Sequence, residues 1–212
     1  MLEIDHVILG VGDLDAATRR MEALGFGVAE GGRHEGLGTA NRIVPIPRGP
    51  GTPPQYLELL GVVDRREAGG TEFGRALLRR IAGGDRLARW CFQTDDLDAV
   101  AARLGLTPEP RGRRRPDGMQ LTWRAAGLAL SLRDSWLPFF VAWDEPARHP
   151  GLTPVTHRTS PRAIAWVELA PDDRPRLDRW LAGAAAPVRL VDGLPGLRRV
   201  AIATPAGEIV IG

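Results

Sequence analysis

Lysine is missing from the 212 residues altogether, so all 28 basic side chains are arginine. Its absence excludes Schiff-base chemistry on a side-chain amine and any phosphate-binding loop of the P-loop type. Cys91 is the one cysteine, which excludes an internal disulfide and a cysteine-rich zinc cluster. Tyrosine also occurs once, and the formal charge is only +2. Because arginine does not titrate below about pH 12, this small excess persists to high pH, and the isoelectric point of 9.4 overstates the basicity. No run of about eighteen apolar residues occurs, so no membrane span is expected. Met1 leads straight into strand-like residues instead of a basic and then apolar leader. These features predict a soluble, cytoplasmic protein long enough to bury a substantial core.

What is present is a repeated grammar. "LEIDHVILGV" alternates as a strand, Asp13 reads as a helix N-cap, and Leu14, Ala17, Met21 and Leu24 recur at helical spacing until Gly25. "FGVAEGG", "TANRIVPI" and "PQYLELLGV" follow as strands. "RLARWCFQT" opens a second copy with Asp96 as cap and Leu97, Val100, Ala101 and Leu104 on the apolar face; "MQLTWRAA" and "LPFFVAWD" are its later strands. "AIAWVELA" opens a third copy. The reading divides the chain into a βαβββ module over 1–63, a connector helix over 64–86, a βαβββ-like module over 87–145, a proline-rich linker over 146–162 and a βαβββ module over 163–212. Phe73, Leu77 and Ile81 share one face of the connector. A unit repeated in this way pairs with another copy to cover its apolar faces. Alternation places Val7 and Leu9 under the helix, with Ile4, His6 and Ile8 on the opposite face. The fold class is α+β, with curved mixed sheets around a small-molecule cup.

"DHVILGVGDLDAA", "HEGLGTANRI", "YLELLGV", "LPFFVAWDEPARHPG" and "VAIATPAGEIVI" together resemble glyoxalase-like members of the vicinal oxygen chelate superfamily, over nearly the whole chain. The resemblance implies a divalent metal held by one ligand from the first strand and one from the last strand of each of two paired modules. His6 and Glu58 match those places in the first module. In the second, Arg89 stands before Leu97 as His6 stands before Leu14, and Ala142 is the expected counterpart of Glu58. Arginine and alanine have no lone pair for a metal, and Ala165 in the third module is no better. No firmly bound cofactor is therefore expected.

His6 and Glu58 are then candidates for a base and its partner, and Arg89 for a fixed cation that holds a carboxylate, phosphate or enolate-like oxygen. The competing reading of Arg89 is a structural ion pair with Glu58 or another acid. The resemblance adds His34, Gly38, Thr39 and Asn41 from "HEGLGTANRI" as substrate-binding candidates, against the alternative of a self-capped polar turn. Trp143 and Trp123 offer either core filling or an aromatic wall. His149 and His157 fall in the linker, where solvation or turn capping is the ordinary role; a linker crossing the mouth of the cup as a lid keeps His149 in reserve as a site residue. "RGRRRPDG", residues 111–118, reads as a solvated basic loop, so no nucleic acid partner is expected.

The expected function is binding of a small carbonyl or anionic compound, with isomerase or lyase chemistry that needs no tightly bound metal. Two alternatives stand beside it: sequestration of a small molecule, as in bleomycin-resistance proteins, and divalent-metal-dependent catalysis. A catalytic His6 should lie within hydrogen-bond range of Glu58; a packing His6 should be buried and bonded to backbone. Sheets of this superfamily also complete themselves across a homodimer.

Overall fold

The computed structural model describes residues 2–115, 117–182, 184 and 186–212. Strand β1 (Leu2–Val11) leads into α1 (Leu14–Ala23), whose first turn is closed by the Asp13 carboxylate accepting from the Asp15 and Ala16 amides. Strands β2 (Ala29–His34), β3 (Thr39–Ile46) and β4 (Gln55–Val62) complete the first unit. After α2 (Arg65–Gly69) and α3 (Glu72–Arg80) the scheme returns as β5 (Arg86–Thr94) and α4 (Leu97–Leu104), the latter capped by Asp96. Then come β6 (Glu109–Arg114), β7 (Gln120–Ala126), α5 (Leu128–Arg133) and β8 (Phe139–Trp143). Residues 111–114 of the expected basic loop are thus strand, paired along β7. The chain runs as polar, alternating backbone there, with Pro110 tolerated because β6 is an edge strand.

The eight strands form one sheet in the order β2-β3-β4-β1-β5-β8-β7-β6. This order is symmetric about the antiparallel β1–β5 contact. His6 lies opposite Cys91 and Ile8 opposite Arg89, so a pseudo-twofold axis between the strands carries His6 onto Arg89 and Ile8 onto Cys91. In the flanking parallel ladders Ile8 is level with Glu58, and Cys91 with Phe139. The counterpart of Glu58 is therefore Phe139 and not Ala142. Helix α5, inserted between β7 and β8 without an equivalent in the first unit, displaces the count.

The last unit has the expected order of elements: β9 (Ala163–Ala170), α6 (Arg174–Leu181), β10 (Val188–Leu190), β11 (Gly196–Thr204) and β12 (Gly207–Ile211). Its strands are arranged differently, as a separate sheet β10-β9-β11-β12 with the first strand inside. This sheet covers the convex side of the larger one. Val167, Leu177, Trp180 and Val200 share a core with Val7 and Leu9, Trp90 and Phe92, and Met21 and Val100. The concave side is formed by the first two units, and one end of it is filled by α3: Leu77, with Phe73 and Ile81 beside it, packs on Ile8, Leu60, Cys91 and Phe139.

Two details set the chemistry of the other end. A register shift between Ile4 and His6 makes Asp5 an extra residue in β1, as in a β-bulge. Ile4 and Val7 consequently both reach the convex core, which corrects the placing of Ile4 in the cup, while Asp5 and His6 bond to each other. Second, the linker is clamped. It forms short 3-10 turns at Pro146–Arg148 and Pro150–Leu152, and Gly151 sits so close to β4 that a Cβ there would lie 2.4 Å from the Gln55 carbonyl oxygen. Among the described residues no helix is long and apolar enough to cross a membrane.

Candidate active site

Asp5 is the centre of the polar cluster. Its side chain is fully buried, and its oxygens accept from three donors: His6 Nδ1 at 2.5 Å, His149 Nε2 at 2.9 Å and Trp143 Nε1 at 2.9 Å. The tautomer of His149 is fixed by the linker turn. The Gly151 amide donates to His149 Nδ1 at 3.0 Å, so that nitrogen is an acceptor and Nε2 carries the proton given to Asp5. Burial pushes the Asp5 carboxyl upward, but attraction and hydrogen bonding from His149, and then from His6, outweigh it and hold the group well below the usual carboxylate range. A carboxylate with three charge-assisted partners stays ionised in a dry site.

His6 stacks on Tyr56 with ring centroids 4.4 Å apart and meets Phe139 edge-on. Since Nδ1 faces Asp5, Nε2 turns toward Glu58, 3.8 Å from Oε2. That distance lies just outside a hydrogen bond, and the ring is bonded to a carboxylate instead of to backbone. Glu58 is held from its other side by Asn41 Nδ2, which donates to Oε1 at 2.7 Å. His6, Asn41, Glu58 and Tyr56 are all buried.

The remaining candidates occupy different places. His34 Nδ1 and Thr39 Oγ1 are 2.9 Å apart. Burial lowers the His34 ring's affinity for a proton, with Glu58 opposing and Arg113 adding to the shift. Gly38 faces away toward α2: at φ +65°, a Cβ there would come within 2.4 Å of the Ala68 amide and the Asp64 carbonyl. Arg89 is buried on the cup side and is held by α5, donating from Nε and NH2 to Ser131 Oγ and from NH2 to the Leu128 carbonyl. Burial pushes its guanidinium down to about 10, against the attraction of Cys91 and Glu58. The ion pair with Glu58 considered from the sequence does not form. Trp143 is half-buried and tilts against Trp123 at 5.2 Å.

Sequence reasoning missed Asp5 and held His149 only in reserve, as part of a linker read as a lid. Strict alternation assigns Asp5 to the face of Val7, and only the bulge brings it round. For His149 the available signal was "HPG", where Pro150 and Gly151 allow a turn that folds an amide onto the preceding ring.

The profile of the glyoxalase-like domain matches residues 4–185, from β1 through the end of α6. The chain belongs to this family. It is thereby a glyoxalase-like protein of the vicinal oxygen chelate superfamily, a fold in which two curved half-sheets meet at their first strands, as β1 and β5 do here. A solved structure of a hypothetical protein from Staphylococcus aureus is similar over 99% of this chain and 84% of its own, at 16% identity and a TM-score of 0.62; this likeness concerns the fold alone. Methylmalonyl-CoA epimerase from Streptomyces coelicolor aligns over 67% of this chain and 97% of its own at 24% identity, with a TM-score of 0.48. The epimerase from Mycobacterium tuberculosis gives 18% and 0.42 over 66% of this chain and 85% of its own. No curated protein matches.

A superfamily metal would draw on His6, Glu58 and their two symmetry mates. Those mates are Arg89 and Phe139, and the guanidinium carbon lies 4.3 Å from the centre of the phenyl ring, an arrangement of cation over π-face. Neither side chain has a lone pair to offer a cation. Asp5, His6 and Cys91 do present ligand atoms within 4.8 Å of one another. Asp5 is already committed to three donors, however, and burial raises the Cys91 thiol well above its ordinary range, away from the thiolate that a metal requires. The residues present do not fit the superfamily's metal.

Proposed function

We propose that this glyoxalase-like protein is an enzyme that moves a proton on a carbon adjacent to a carbonyl group in a small compound, an isomerase or lyase type of reaction. The observation that carries the reading is the line Asp5–His6–Glu58. Asp5 orients the imidazole and fixes the neutral ring's proton on Nδ1, leaving Nε2 to take a proton from a substrate carbon. The electron pair of the broken C–H bond moves onto the carbonyl oxygen, giving an enolate. Arg89 supplies a fixed positive field for that charge, and Glu58, oriented by Asn41, is placed to exchange a proton on the neighbouring side.

The test is exchange of solvent deuterium into small carbonyl compounds, followed by proton NMR. The reading expects position-specific loss of signal for at least one 2-oxo or 3-oxo compound; binding without exchange would favour sequestration instead. The metal assignment has its own check. Calorimetric titration of chelator-treated protein with manganese or zinc is expected to show no stoichiometric site, and a one-to-one isotherm would refute it.

A further inference from the structure

Strand β6 brings a second cation to the cup, one that the sequence hides inside an apparently solvated basic run. The two edges of the sheet nearly close on each other: Arg113 NH1 donates to the Gly31 carbonyl, and a Cβ on Gly32, at φ +144°, would lie 2.9 Å from the Arg114 carbonyl oxygen. Gly31 and Gly32 thus permit an approach that side chains would block. Arg113 is half-buried beside module one's polar residues, within electrostatic reach of Tyr56, Glu58 and His34. Glu58 also attracts Arg89. Among the described residues neither arginine forms an ion pair, since no acid oxygen lies within 4.0 Å of either guanidinium. Arg113 therefore stands at the closing edge of the cup with no acid bonded to it, its side chain tied to the Gly31 carbonyl. A ligand carboxylate placed beside Arg113 would give that guanidinium the charged partner that the chain does not supply.

We infer that Arg113 is a specificity residue that binds a carboxylate of the substrate, so that the substrate class is a small oxo acid and not a neutral aldehyde or ketone. The inference rests on the proton-transfer reading for the role of the carbonyl. Its binding component stands apart. One N–H of the guanidinium is spent on Gly31, and the remaining donors suit the planar oxygens of a carboxylate. Arg89, by contrast, is held back by Ser131 and Leu128.

Calorimetry with pyruvate and its uncharged amide, pyruvamide, tests the inference on the intact chain. Wild type should prefer pyruvate by about tenfold to a hundredfold, the usual strength of a charge-assisted pair. Arg113→Gln should erase the preference, and Arg113→Lys should retain part of it. Should Arg113→Gln fail to melt cooperatively, the lysine variant decides alone. Equal affinity for the two probes in wild type, no binding of pyruvate, or a preference that survives both substitutions would overturn the assignment. Deuterium exchange at the pyruvate methyl group separates the two ideas. A preference for pyruvate without exchange in pyruvate or any other 2-oxo or 3-oxo compound removes the proton-transfer reading and keeps the carboxylate site, while exchange without a preference does the reverse.

Discussion

Asp5→Ala should cost the fold about 3–5 kcal/mol, the range for stripping one partner from a buried charged network. For a chain of this size that is a fall in melting temperature of roughly 6–20 °C. The reason lies in what the substitution leaves behind. Three buried donors, on His6, Trp143 and His149, lose their common acceptor, and each orphaned group bears its desolvation cost. The linker loses its anchor at the same moment, because His149 is tied to the sheet through Asp5. Asp5→Asn should be milder, since the amide keeps one acceptor oxygen, but it presents N–H groups to a nitrogen that also carries a proton.

The pH dependence has a definite sign. The folded-state affinity of Asp5 for a proton is depressed relative to its ordinary value of 3.8, so its contribution is complete above that value and is lost as the pH falls toward the lower folded value. Chemical denaturation at several pH values measures this. The stability gap between wild type and Asp5→Ala should be level between about pH 5 and 7 and narrow below about pH 4. A gap that widens on acidification would mean that Asp5 is protonated in the native state.

His6→Gln should lower the rate of solvent deuterium exchange into a bound oxo acid by about a hundredfold to ten-thousandfold, the usual contribution of a positioned general base. The glutamine amide can still donate toward Asp5, so the network and the fold should change far less than in Asp5→Ala. Carboxylate affinity, assigned to Arg113, should hold within about threefold, a difference of less than 1 kcal/mol. Glu58→Gln keeps an acceptor for Asn41 and should also slow exchange. If His6→Gln exchanged at the wild-type rate while Glu58→Gln did not, the base would be Glu58 and the histidine its neighbour.

Much of the scaffold could be read from local pattern. β1, β3, β4 and β5 read as strands from their apolar runs, Asp13 and Asp96 announce their helices, and the equal spacing of His6 and Arg89 from those helices is matched by the β1–β5 register. Pattern failed where one extra residue or a distant contact decided the outcome. The bulge at Asp5 reverses the faces of Asp5 and Ile4 relative to the rest of the strand, which alternation cannot register. Helix α5 shifts the end of the second unit and hides the correspondence of Glu58 with Phe139. His149 lies far along the chain from Asp5 and meets it only because Gly151 packs on Gln55. Arg113 looks like one more solvated arginine until the approach of β6 to β2 turns it inward. The polar cluster depends on these long-range events, and the core mostly does not.

The arrangement of the His6 ring can be measured without any substrate. Long-range proton–nitrogen correlation on 15N-labelled protein identifies which nitrogen holds the proton in the neutral imidazole. Hydrogen bonding to Asp5 predicts the Nδ1–H form, with Nε2 directed at Glu58, and a change in that pattern in Asp5→Asn. A neutral His6 protonated on Nε2 in the wild-type protein would contradict the account, because the nitrogen assigned to take the substrate proton would already be occupied.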